Sequence, residues 1–176
     1  QQAPLISHLA NAILPDFDLK ELRRIDSKYK RLLEILKGHL TEFADEKVIL
    51  FSYFRGTLHY LKERLEEDGI SCELLIGGLK ESKQDIINRF RTANNTQVLL
   101  ASEVASEGVD LQFSRLLINY DLPWNPMKIE QRIGRIDRLG QKEPKIHIWN
   151  LLFEDTIDSR IYSRLMTRIG IFENAL

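Results

Sequence analysis

Cysteine is nearly missing from this sequence, with Cys72 alone among 176 residues, so no internal disulfide can form. A chain without paired cysteines fits a reducing compartment, and the cytoplasm is the expected location. A long apolar run is missing as well. The longest uncharged stretch, Gln1 to Pro15, has no basic flank and is broken by Gln, His, Asn and Pro, so it reads as neither signal peptide nor membrane span. Charge of one sign is also lacking: 25 Lys and Arg face 26 Asp and Glu, for a net charge of -1. The molecule is not a uniformly basic body, and any polyanion site has to be local. None of the nine glycines is followed by lysine, which excludes a phosphate loop of the G-x-x-x-x-G-K-[ST] kind. The four histidines, His8, His39, His59 and His147, show no metal-ligand spacing and read as surface or helix residues. No catalytic base or nucleophile pair stands out.

What is present suits one ordinary globular domain. Hydrophobic residues make up 43% and charged residues 29%, with a mean hydropathy of -0.26. At this length a fold buries about 70% of the surface its unfolded chain exposes, so the core needs no staple. Five short apolar runs read as buried strands: Val48 to Phe51, Cys72 to Ile76, Val98 to Ala101, Leu116 to Asn119 and Ile146 to Asn150. Helical spacing separates them over Thr57 to Glu67, Glu81 to Arg91 and Lys128 to Leu139. Strand alternating with helix predicts an α/β fold, a three-layer α/β/α sandwich on a mostly parallel sheet. An amphipathic helix over Ser27 to Phe43, capped by Asp26 or Ser27, precedes it, and a second long helix over Asp155 to Phe172 follows. Residues 1–25 form a lead-in and 26–176 the domain. The first residue, Gln1, suggests a segment of a longer protein.

The most informative stretch is Ile129 to Gln141, IEQRIGRIDRLGQ. Its arginines, Arg132, Arg135 and Arg138, are three apart and fall on one side of a helix, with no carboxylate three or four residues from any of them. Each like-charge pair costs a few tenths of a kcal/mol, about 0.2 to 0.5, without local compensation. Gly134 costs about 1 kcal/mol more in helix propensity and predicts close approach by another group. Residues 128–145 hold six cations against three acids, a local charge of +3. Arginine binds phosphate oxygens two at a time and keeps its charge, so the row suits a nucleoside triphosphate; the plainer alternative is a solvated basic face.

The string QRIGRIDRLGQ, Gln131 to Gln141, resembles motif VI of the superfamily-two helicases, and its ending is similar to that of the SWI/SNF-type ATPases, with Leu139 for the usual Ile. The resemblance continues in order along the chain. KVILFSYF, Lys47 to Phe54, looks like motif IV, a strand ending at Ser52 and Tyr53. LLIGGLKESKQDIINRF, Leu74 to Phe90, is similar to the glycine-containing loop and helix that face nucleic acid, with Lys83 where the family usually has Arg. VLLASEVASEGVDLQF, Val98 to Phe113, looks like motif V, matched at Ser102, Glu103, Gly108 and Asp110. DLPWNP, Asp121 to Pro126, resembles the loop after it, with Pro123 where an acid often stands. Taken singly, Ser102 also reads as a helix cap and Trp124 as a packing residue. The end, Arg168 to Leu176, has some likeness to the bacterial RNA-polymerase-associated branch.

By this resemblance the chain is a second RecA-like lobe, with Arg135 and Arg138 as arginine fingers. Gly108, Asp110, Gln131 and Arg132 would serve the cofactor, ATP, whose Mg2+ is held by an N-terminal lobe outside this segment. Ser52, Tyr53, Lys83, Ser102, Glu103 and Trp124 would meet nucleic acid. The expected partners are that lobe, nucleic acid with duplex DNA favoured, and in the bacterial branch RNA polymerase. No membrane is expected, and a bacterial enzyme would be nucleoid-associated. Asp45 and Glu46 precede a strand where magnesium-binding acids follow one, so they read as a solvated turn. Two other readings are a non-catalytic RecA-like platform for protein or RNA, disfavoured by the unpaired arginine row, and a free-standing nucleotide-binding protein, disfavoured by the absent glycine fingerprint.

Overall fold

A computed structural model describes residues 23–123, 125–136, 146–156, 159–160 and 162–163. Its elements run α1 (Ser27–Glu42), β1 (Val48–Ser52), α2 (Arg55–Glu67), β2 (Cys72–Leu75), α3 (Lys83–Thr92), β3 (Val98–Ser102), α4 (Glu103–Ser106), β4 (Leu116–Asn119), α5 (Pro126–Ile136) and β5 (His147–Asn150). The strands form one five-stranded sheet in the order β2-β3-β1-β4-β5, and every pairing is parallel. All residues of the three central strands are buried, while β2 and β5 at the edges are partly exposed. This matches the continuous apolar runs of a sheet covered on both faces.

Alternation along β1 separates the two cores. Val48 and Leu50 join Leu32 and Leu36 of α1 and Leu58, Leu61 and Leu65 of α2. Ile49 and Phe51 join Ile86, Ile87 and Phe90 of α3 and Ile136 of α5. Connection handedness explains the division. The β1-to-β2 crossover runs one way along the sheet and places α2 on one face. The next three run the other way and place α3, α4 and α5 on the opposite face.

Local chemistry fixes the helix ends. The Asp26 side chain caps α1, accepting from the Tyr29 amide at 2.9 Å. The same residue accepts from the Tyr60 hydroxyl at 2.7 Å, tying α1 to α2. Ser82 caps α3 in the same way. Pro126 opens α5, two residues before the predicted start, where its missing amide costs nothing.

Other expectations need correction. The short helix α4 has no periodic signal in the sequence, because four residues complete little more than one turn. Asp155 does not begin a helix: it sits in a turn with φ 57°, and Thr156 accepts the first bond, from Arg160. Most of the predicted 155–172 helix lies outside the described residues. Glu46 is not solvated either, since it pairs with the buried His39 at 2.8 Å and with Arg115. His39, on helix α1, is thereby a core residue.

Candidate functional site at the carboxyl edge of the sheet

In a parallel α/β sheet the ligand crevice lies beyond the carboxyl ends of the strands, where crossovers leave in opposite directions. Here that point is the end of β1, whose crossover goes to one face while those of its neighbours β3 and β4 go to the other. Ser52, Ser102 and Asn119 stand at this edge, with Ser52 in register with Ser102. The α5 helix packs beneath them through Ile129, Arg132 and Ile136, which form one buried stripe.

Arg132 is therefore not part of a solvated row. It is only 2% exposed, its Nη1 donates to Asn119 Oδ1 at 2.7 Å and to the Asp121 carbonyl at 3.0 Å, and its guanidinium lies 5.3 Å from the Phe51 ring. Asn119 in turn donates to Asn150 at 2.8 Å, so the network reaches β5. Burial lowers the Arg132 pKa from its ordinary value, against the opposing pull of the Glu103 and Asp121 carboxylates. Among the described residues its Nε and Nη2 have no hydrogen-bond partner, and neither does the Glu103 Oε1. The other Glu103 oxygen accepts from Lys128 at 3.2 Å.

These groups line a cleft between α4 and α5, shared by Glu103, Ser106, Glu107, Lys128, Gln131, Arg132 and Arg135. Among the described residues the Arg135 side chain has neither hydrogen bond nor ion pair, while its carbonyl accepts from Leu111 at 3.2 Å. An open guanidinium beside two unmatched N–H groups suits an anion rather than a neutral ligand. Gly134 shows no close approach within the described residues, since a Cβ there would meet nothing within 4 Å. Among the described residues no group of three or more His, Cys, Asp or Glu could hold a metal ion.

The other expected site residues divide between this cleft and its rim. Ser52 is fully buried, with its hydroxyl committed to the Asp121 carboxylate. The next residues, Tyr53 and Phe54, are 58% and 62% exposed, their rings edge to face at 5.4 Å. Lys128 lies 6.0 Å from the Tyr53 ring. Ser102 caps α4, accepting from the Ala105 amide at 3.4 Å, and Lys83 donates to the Val104 carbonyl at 3.3 Å. Gly108 has φ 79°, a conformation that favours glycine. Asp110 is exposed and accepts from the Gln112 amide at 3.0 Å, so Gly108 and Asp110 follow α4 on a turn without lining the cleft. Trp124 and Arg138 lie outside the described residues. Sequence reasoning missed Asp121 as the partner of Ser52, Asn119 as the partner of Arg132, and Phe54 as an exposed aromatic. Only Phe54 had a signal, an aromatic run that continues past the strand end.

Residues 27–140 match the model of the helicase conserved C-terminal domain. The chain belongs to that family. It is the C-terminal RecA-like lobe of a superfamily-two helicase of SWI/SNF type. It is 40% identical over 177 residues to an uncharacterized ATP-dependent helicase, YqhH, of Bacillus subtilis, covering 100% of this chain and 30% of that protein. It is 39% identical over 125 residues to the RNA polymerase-associated protein RapA of Erwinia tasmaniensis, covering 66% of this chain and 12% of that protein. The C-terminal part of the Fun30 ATPase domain superposes with a TM-score of 0.71 at 26% identity, over 77% of this chain and 44% of that structure. The chain thus spans under a third of the length of these two curated relatives. The cleft is lined by residues of the segments that resemble motifs V and VI, and the exposed aromatic pair stands on the segment that resembles motif IV. Among the described residues no helix is long and apolar enough to cross a membrane.

Proposed function

We propose that this domain is the second motor lobe of an ATP-dependent duplex-DNA translocase. It supplies Arg135 and Arg138 as arginine fingers to ATP held, with Mg2+, by an N-terminal lobe elsewhere in the same polypeptide. The observation that carries the reading is the Arg135 guanidinium at the cleft, without a partner among the described residues and beside the unmatched Arg132 nitrogens. Arginine left without a counter-ion on a helix already rich in like charge is costly, and a transferred phosphoryl group is the charge that would offset it. Bound ATP supplies that phosphoryl group; this chain supplies fixed positive charge and a surface that excludes water. Lys128 is already engaged by Glu103, so it orients the cleft rather than competing for phosphate.

The rim serves the nucleic acid in this reading. Tyr53, with Phe54 and Lys128 beside it, meets the strand, and the exposed Lys83 contacts its backbone, which positions the track without reading sequence. Alternating closure and opening of the two lobes then advances the grip. RNA polymerase is the proposed recruiting partner, by analogy with RapA. The test is ATP turnover by the full-length parent with and without duplex DNA. DNA-stimulated turnover should fall at least a hundredfold in Arg135→Ala and in Arg138→Ala, since such fingers contribute about 10³ to 10⁵ where measured. Turnover unchanged in both variants would refute the finger assignment.

A further inference from the structure

We propose that Asp121 is a positioning residue that couples the nucleic-acid rim at the end of β1 to the arginine helix α5, an inference that rests on the motor-lobe reading. Its carboxylate accepts from the Ser52 hydroxyl through Oδ2 and from the Tyr53 amide at 2.7 Å through Oδ1. Ser52 Oγ in turn accepts from the Phe54 amide at 3.3 Å. Both amides of the exposed aromatic pair are therefore held, directly or through one hydroxyl, by a single side chain. The main chain of the same residue faces the other way: its carbonyl accepts from Arg132 Nη1 at 3.0 Å.

Arg132 lies one helical turn before Arg135 and is almost wholly buried, so it has no freedom to follow a displaced partner by rotating into solvent. The same nitrogen is also held on Asn119 at 2.7 Å, which anchors the link to the end of β4. A shift of Tyr53 and Phe54 under a bound strand reaches Asp121 through two hydrogen bonds and reaches α5 through a third. The buried arginine one turn before Arg135 is thereby set by the state of the rim. A purely structural role would make the same bonds but would leave DNA binding and turnover changing together with stability.

The experiment uses the full-length parent with three variants, Asp121→Ala, Asp121→Glu and Asp121→Asn. Labelled duplex DNA gives affinity by anisotropy without nucleotide, and ATP turnover is read with and without DNA. Asp121→Glu keeps the carboxylate but shifts it by one methylene, so it tests position rather than charge. Asp121→Asn keeps an oxygen for the Tyr53 amide and presents an amide to Ser52 Oγ, so it should rescue. Expected in Asp121→Ala and Asp121→Glu is DNA affinity weakened about tenfold, the scale of a misplaced contact group, with most of the DNA-stimulated turnover lost. Turnover without DNA should stay within about twofold of wild type, and Asp121→Asn should restore affinity and stimulation. Wild-type affinity and stimulation in Asp121→Glu would overturn the inference, as would a parallel fall of stimulated and DNA-free turnover in every variant. Should Asp121→Ala melt below the assay temperature, Asp121→Glu decides alone. A wild-type parent with no DNA-stimulated turnover would instead refute the motor-lobe reading.

Discussion

Gly134→Ala separates the stability of this domain from its work. Gly134 lies inside α5, and among the described residues a methyl group there meets nothing within 4 Å beyond its own helix backbone. Its backbone is helical and needs no left-handed conformation. Replacing glycine by alanine at such a site removes backbone freedom from the unfolded chain and returns about 0.8 to 1 kcal/mol of helix propensity. For a domain of this size about 1 kcal/mol raises the melting temperature by about 2 to 4 °C. With a urea m-value of about 2 kcal/mol/M, the unfolding midpoint rises by about 0.5 M at unchanged slope. Thermal and urea unfolding of the 176-residue chain measure both. A lower melting temperature for Gly134→Ala would refute the reasoning, because it would require a clash that the described residues do not contain. The same substitution in the full-length parent then addresses the close approach that the sequence suggested. Lower turnover in a more stable variant would place the approaching group outside the described residues.

Four further outcomes follow from the described contacts. Phe51→Ala, in a fully buried ring that packs in the core and under Arg132, should cost about 3 to 5 kcal/mol in urea unfolding. Gly108→Ala should cost about 1 to 2 kcal/mol because φ is 79°, and Gly108→Asn should cost less, as read by the shift in melting temperature. Burial pushes the Cys72 thiol up to about 12. Its folded pKa is raised, so the stability it contributes is present below about pH 9 and is lost as pH rises towards 12. Alkylation of Cys72 at pH 8 should accordingly proceed only through unfolding, and should accelerate in urea in step with the unfolded fraction. Arg132→Ala should be destabilising by about 1 to 3 kcal/mol, because the buried Asn119 Oδ1 and the Asp121 carbonyl lose their donor.

The sheet was legible because its central strands carry one-signal sequences. VILF, VLLA and LLIN have no polar residue before the strand end, a pattern that only a strand covered on both faces requires. Their order was not legible, since β2-β3-β1-β4-β5 depends on which way each crossover runs, and no residue spells that out. Residue type narrows the α1 cap to Asp26 or Ser27, and it is Asp26 whose side chain takes the Tyr29 amide. Glu46 was misread because its partners, His39 and Arg115, are separated from it by 7 and 69 positions, and charge beside a strand start resembles a solvated turn.

The arginine segment shows where sequence logic stops. Spacing placed Arg132, Arg135 and Arg138 on one helical side, and composition within one turn found no compensating carboxylate. Both statements stand for the described part of the helix, yet the inference that all these charges face an anion does not follow. Ile129 and Ile136 fix the buried stripe, and Arg132 falls on it at spacings of three and four. Its compensation comes from Asn119 and the Asp121 carbonyl, 13 and 11 residues away, and is made of neutral oxygens that a count of charges cannot see. Arg135, one turn later, turns off the stripe and meets no such acceptor among the described residues. Two arginines with the same sequence signature thus have opposite surroundings, one holding the strand ends and one left open at the cleft. A polar network that rigid is costly to assemble unless every member is satisfied, and among the described residues Arg132 keeps two unmatched nitrogens. On the motor-lobe reading proposed above, those nitrogens, with Arg135, mark the side of α5 that faces the ATP-holding lobe.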